Sequence, residues 1–149
     1  MPDTQADIIR SLGAASTFDA ADETERRITF LSDYLRGSAA SAYVLGISGG
    51  VDSLCAALLA QQAVERLRGH GHKATFIAMR LPYGIQADEA DAQKALEVIR
   101  PDRIVTVNIK PAADAMLDEV RREGGDLFEA ARSDFHHGNI KARQRMIAQ

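Results

Sequence analysis

Hydrophobic positions along the chain change period several times, and each change predicts an element. Ile8, Ile9 and Leu12 fall at helical spacing behind Asp3 or Thr4, either of which can cap a first helix that Gly13 stops. A second helix is predicted from about Asp22 to Gly37. Glu25 lies three residues after Asp22 as in a capping box, and Ile28, Leu31 and Leu35 form the buried stripe. Ala42 to Ile47 is a continuous apolar run, the pattern of a strand covered on both faces. Ser53 to Arg68 returns to helical spacing, and Arg68-Gly69-His70-Gly71-His72 reads as a turn. Ala74 to Met79 is a second strand. A helix capped near Asp88 follows, with Leu96 and Ile99 facing inward and Pro101 at its end. Arg103 to Ile109 alternates enough for a strand near an edge. Pro111 to Glu123 reads as a helix opened by proline and closed by Gly124-Gly125.

Strand, helix, strand, helix, strand with short connections predicts an α/β domain. Its strands are parallel, its crossovers right-handed, and two helices precede the first strand. Ligands of such sheets bind at the carboxyl ends of strands, where strand order reverses. Two loops, Ser48 to Ser53 and Arg80 to Gln86, follow strands and project from that end. No internal repeat, low-complexity tract or linker divides residues 1–149.

Composition narrows the class. A chain of 149 residues with 46% hydrophobic residues is large enough for one domain with a sizeable core. Its net charge of −3 argues against a general nucleic-acid surface, and its nearest approach to a basic run is in the last dozen residues. No apolar stretch reaches membrane length and no signal peptide is evident, so the cytoplasm is the expected compartment. Cys55, the single cysteine, cannot form an internal disulfide and reads as a small buried core residue. His70 and His72 read as solvated turn residues. His136 and His137, being adjacent, point apart and make a poor metal pair.

The chemistry concentrates in Gly46-Ile47-Ser48-Gly49-Gly50-Val51-Asp52-Ser53. Gly49 and Gly50 permit positive φ and close backbone approach, so successive N–H groups can converge on an anion. The helix that follows aims its positive end at the same place. Ser48 and Ser53 add hydroxyls. Asp52 puts a carboxylate beside a phosphate, which is repulsive unless a cation such as Mg²⁺ bridges the two. The same residues also suit a plain strand-to-helix turn, with glycines for packing and Asp52 or Ser53 as the N-cap.

Gly-x-x-x-x-Gly-Lys-Ser/Thr spacing is absent. The stretch instead resembles the Ser-Gly-Gly-x-Asp-Ser loop of the PP-loop ATP pyrophosphatases, which release the β and γ phosphates together. That resemblance implies a Rossmann-like, adenine nucleotide alpha hydrolase-like fold. It also implies an ATP site at Gly46, Ile47, Ser48, Gly49, Gly50, Val51, Asp52 and Ser53, with Asp52 on the metal.

Two further stretches leave alternatives open on residue type alone. Arg80 is either a clamp on ATP or an ordinary arginine paired with an acid such as Asp88, and Pro82 and Tyr83 form either an adenine wall or, more simply, a packed turn. On a helix through the last segment Asn139 and Arg143 share one face, whereas Lys141 and Arg145 share another, as an ordinary solvated helix also would. The pattern Arg-Leu-Pro-Tyr-Gly-x-Gln-x-Asp-Glu, together with Gly-Asn-x-Lys-Ala-Arg-x-Arg-Met, resembles the ammonia-dependent NAD synthetases. That resemblance implies ATP contacts from Arg80 and Gln86 and deamido-NAD contacts from Asn139 and Arg143. It puts Phe135 near the nicotinate end, in this subunit's site or the other's.

The implied reaction is attack of the nicotinate carboxylate of deamido-NAD on the α-phosphorus of ATP, loss of Mg-pyrophosphate, and displacement of AMP by ammonia. No cysteine, histidine and carboxylate constellation suggests a glutaminase, so free ammonia is the expected nitrogen donor, and a homodimer is implied. The family's threonine, second metal carboxylate and phosphate lysine lie further along the chain than Gln149. The 149 residues therefore resemble the N-terminal half of such a ligase and are expected to be nearly inactive alone. Another amidating or thiolating PP-loop enzyme, or a non-catalytic nucleotide-binding or dimerisation module, are the competing expectations.

Overall fold

A computed structural model describes residues 4–15, 17–85, 89–125 and 133–149. The elements are α1 (Gln5–Ser11), α2 (Ala20–Gly37), β1 (Ala42–Gly46), α3 (Val51–Gly69), β2 (Thr75–Arg80), α4 (Glu89–Ile99), β3 (Arg103–Thr106), α5 (Lys110–Gly124) and α6 (Ser133–Ala148). All three strands are parallel, in the order β1-β2-β3, with Gly46 opposite Met79 and Arg80 opposite Thr106. Among the described residues the expected reversal of strand order is not formed, and β1 and β3 are the edges of the sheet they make.

Side chains alternate across β2, as the period of a strand requires. Phe76 and Ala78 point into a core with Ala57, Ala60 and Val64 of α3 and Ala95, Leu96 and Ile99 of α4. Ile77 and Met79 point the other way, toward Val105, Ile109 and Ala148. The edge strand β3 is shorter than the apolar pattern predicts. Its ladder nevertheless runs on irregularly, with Val107 N–H donating to the Arg80 carbonyl (2.8 Å) and Ile109 N–H to that of Pro82 (2.9 Å).

Helix starts follow local capping chemistry. Thr4 caps α1 in a reciprocal box with Asp7, yet Ile8, Ile9 and Leu12 remain exposed, so α1 buries no residue among those described. Asp19, not Asp22, caps α2, because its carboxylate accepts from the amides of Ala21 and Asp22. Ser32 takes the buried place expected of Leu31, its hydroxyl donating to the Ile28 carbonyl at 2.8 Å, while Leu31 is half-buried. Against the sheet, α2 packs on α3 and receives the Tyr43 hydroxyl at the Leu31 carbonyl (2.7 Å). The expectation that Cys55 is buried fails. The inward stripe of α3 is Ala57, Ala60, Gln61, Val64 and Leu67, and Cys55 lies on the opposite side, exposed.

Candidate functional site

The turn between β1 and α3 is built by its two glycines and two serines. Gly49 has φ +94°, and a Cβ there would lie 3.0 Å from the backbone nitrogen of Ala92 in α4, so only glycine fits. Gly50 is the N-cap of α3 and offers no side chain for capping, which removes Asp52 and Ser53 as caps and leaves them in the first helical turn. Ser48 accepts from Gly50 N–H (3.2 Å), and Ser53 accepts from Ser48 N–H (3.4 Å) while donating to the Gly50 carbonyl (2.9 Å). The turn thus holds its own shape. The amides of Val51, Asp52 and Ser53 have no acceptor inside the helix and open outward at its positive end. Asp52 is exposed and bonds to no described residue.

Beside this turn a cavity of about 340 Å³ opens at the carboxyl ends of β1 and β2. It is lined by Gly46, Ile47, Ser48, Met79, Arg80 and Leu81, and by Arg145 and Gln149 from the end of α6. Arg80, only 4% exposed, is its buried cation. Its guanidinium donates to the Ile47 carbonyl and pairs with Glu89 at 2.7 Å, and its Nε has no acceptor among the described residues. Residue type left Arg80 between clamp and ion pair. It lines the cavity while paired, and the partner is Glu89. Glu89 is held below the usual carboxylate range by hydrogen bonds from Gln93 and then Arg80. Gln86, together with Asp88, lies outside the described residues.

Tyr83 belongs to a packed turn against Met79, Leu81 and Ile109 and is not among the residues that line the cavity. Its hydroxyl donates to Asp114, its ring meets His137 edge-on at 5.0 Å, and the ammonium groups of Lys110 and Lys141 lie over its face. Asp114 is held low, chiefly by Lys110 and next by Tyr83.

On α6, Asn139 and Arg143 share a face, as expected. Arg143 donates to Asn139 Oδ1 (2.9 Å), and both line a shallow groove with Phe135, His136, Ile140 and Val120. That face is turned away from the cavity. Arg145 and Gln149 occupy the far side of the helix, so the β1–α3 turn and the Phe135, Asn139, Arg143 set are not brought together within one chain. Sequence reasoning missed Glu89, Arg145 and Gln149 as parts of the site. Glu89 and Arg145 had a signal, as the last glutamate of the Arg-Leu-Pro-Tyr-Gly-x-Gln-x-Asp-Glu stretch and the last arginine of the Gly-Asn-x-Lys-Ala-Arg-x-Arg-Met stretch, whereas Gln149 had none.

A parallel sheet flanked by helices, carrying Ser-Gly-Gly-x-Asp-Ser between strand and helix, defines a Rossmann-like domain of the PP-loop type. Comparison narrows this. The family model described as NAD synthase matches residues 23–149, and the chain belongs to that family. It is 58% identical over 145 residues to the NH(3)-dependent NAD(+) synthetase of Streptomyces coelicolor, covering 97% of this chain and 52% of that one. Identity to the enzyme of the same name from Burkholderia lata is 57%, over 97% and 51%. The crystal structure of NAD+ synthetase from Burkholderia pseudomallei superposes with a TM-score of 0.88 at 57% identity, over 95% of this chain and 61% of that one. The chain spans about half the length of the curated relatives it matches.

Proposed function

We propose that this chain forms the ATP-gripping part of an NH3-dependent NAD(+) synthetase, a ligase that amidates deamido-NAD to NAD with ammonia and releases AMP and pyrophosphate. The observation that carries the reading is the β1–α3 turn. Its outward amides, two hydroxyls and one carboxylate that bonds to no described residue belong to a single turn, and Ser48 of that turn lines the cavity. Ser48, Gly49, Gly50 and Ser53 hold the two terminal phosphates, and Gly46, Ile47 and Val51 form the backbone around them. Arg80 and Gln86 contact the rest of ATP.

Asp52 is a fitting ligand for Mg²⁺, which commonly takes one or two carboxylates and completes its shell with phosphate oxygens and water. When bound, the ion supplies neutralisation of charge on the departing pyrophosphate. The protein's own part is to present amides and hydroxyls fixed in advance where that charge grows. No residue is assigned an acid–base role.

Phe135, Asn139 and Arg143 hold deamido-NAD. Their groove lies on the far side of α6 from the cavity, which supports a homodimer in which one subunit's groove serves its partner's ATP. The cytoplasm is the proposed compartment, and no helix among the described residues is long and apolar enough to cross a membrane. Because the relatives are about twice as long, the chain alone binds nucleotide with little turnover.

Calorimetry tests the reading: Mg²⁺-dependent ATP binding that weakens at least tenfold in Asp52→Asn is expected. ATP binding indifferent to both Mg²⁺ and Asp52 would sink it.

A further inference from the structure

The ATP cavity is walled by two arginines whose situations differ. Arg80 is engaged on two sides, by the Ile47 carbonyl and by Glu89. Arg145 has no carboxylate partner among the described residues. Its one hydrogen bond runs from Nε to the Leu81 carbonyl at 3.1 Å, just past the end of β2. That bond fixes the plane of the guanidinium and leaves both terminal nitrogens, four N–H donors, without an acceptor among the described residues. The neighbouring cations contrast with it, since Lys110 pairs with Asp114 as Arg80 does with Glu89. A partly buried guanidinium with its fork open to a cavity is built to take an anion, because two parallel donors match two oxygens of a phosphate.

The end of α6 is held where this matters. Gln149 Nε2 lies 3.1 Å from where a Cβ on Gly46 would stand, so the last turn of the helix closes directly over the end of β1. Arg145 therefore lines the same cavity as Ser48 of the turn. A nucleotide whose two terminal phosphates rest on that turn carries its remaining phosphate toward the cavity interior.

We propose that Arg145 is a positioning residue that grips the phosphate nearest the nucleoside, holding it while the turn holds the other two. This rests on the ATP reading above and adds to it the group that fixes the α-phosphorus in line for attack.

Calorimetry on the 149-residue chain with three probes tests it: Mg-ATP, Mg-pyrophosphate and adenosine. Arg145→Gln is expected to weaken Mg-ATP about tenfold to a hundredfold, the range for a lost charge-assisted hydrogen bond. Pyrophosphate and adenosine should stay within about twofold, since neither carries the contacted phosphate. Arg145→Lys keeps the charge without the fork and should fall in between. Equal loss for ATP and adenosine would mean that Arg145 merely props the Leu81 loop, overturning the assignment. Undiminished ATP binding in Arg145→Gln, alongside a loss in Asp52→Asn, would overturn it while sparing the ATP reading. Wild-type chain that binds neither ATP nor pyrophosphate would remove both.

Discussion

The hydroxyl oxygens of Ser48 and Ser53 stand 3.1 Å apart across the glycine turn, so the two groups that bracket the motif hold each other in place. Ser53 also accepts from Ser48 N–H and donates to the Gly50 carbonyl. Removing it therefore loosens the turn on which the proposed phosphate site is built. Ser53→Ala should cost about 1 kcal/mol of stability, the ordinary worth of such bonds. It should weaken Mg-ATP by more than that. Thermal unfolding and calorimetry on the same sample check both.

Gly49 is the residue with least latitude. A side chain there adds left-handed backbone strain of about 1–2 kcal/mol and drives a Cβ to 3.0 Å from the backbone of α4. Gly49→Ala is expected to lower stability by about 2–4 kcal/mol, or to shift the turn away from α4. Gly50→Ala is the control, because its added Cβ would meet only the Ser48 hydroxyl at 3.4 Å. Denaturant unfolding of the pair should place Gly49→Ala well below Gly50→Ala.

Arg80 ties the ends of β1 and β2 together under the turn. Arg80→Met fills the same space but leaves the Ile47 carbonyl without its donor, a loss of about 1–3 kcal/mol. Glu89→Gln keeps the hydrogen-bonding shape and removes only charge from a group partly open to solvent, so its melting temperature should fall less. An equal or larger drop for Glu89→Gln would show that the ion pair, not the carbonyl contact, holds the strand ends.

At the opposite end of the sheet, Asp102 accepts from Arg68 at 2.7 Å and from Phe76 N–H at 2.8 Å, joining α3, β2 and the start of β3. Burial raises its pKa, but the Arg68 and Phe76 hydrogen bonds outweigh that and hold it below the ordinary 3.8. The folded chain thus releases this proton more readily than the unfolded one. The stabilisation is complete above about pH 4 and is lost as pH falls through the lowered value. Asp102→Ala should cost about 1–3 kcal/mol at pH 7 by stranding Phe76 N–H. The gap between variant and wild type should narrow in unfolding curves taken toward pH 3.

Much of this protein is written in short-range signals. The apolar runs at Ala42–Ile47 and Ala74–Met79, helical spacing along α3, Pro111 at the start of α5 and the glycine pair at 49–50 act within a few residues of themselves. They determined the order of strands and helices, the parallel sheet and the place of the glycine turn between β1 and α3. Where a side chain ends up relative to a distant element is decided by packing between segments, which no local period encodes. Only the folded chain paired Arg80 with Glu89, put Cys55 on the bare side of α3 and turned Tyr83 toward Asp114. It also ended the regular part of β3 at Thr106 and split α6 between a face for Asn139 and Arg143 and an opposite face that carries Arg145 to the cavity. Those choices depend on which surfaces meet across the sheet, because burial and ion pairing reward contacts between residues far apart in sequence.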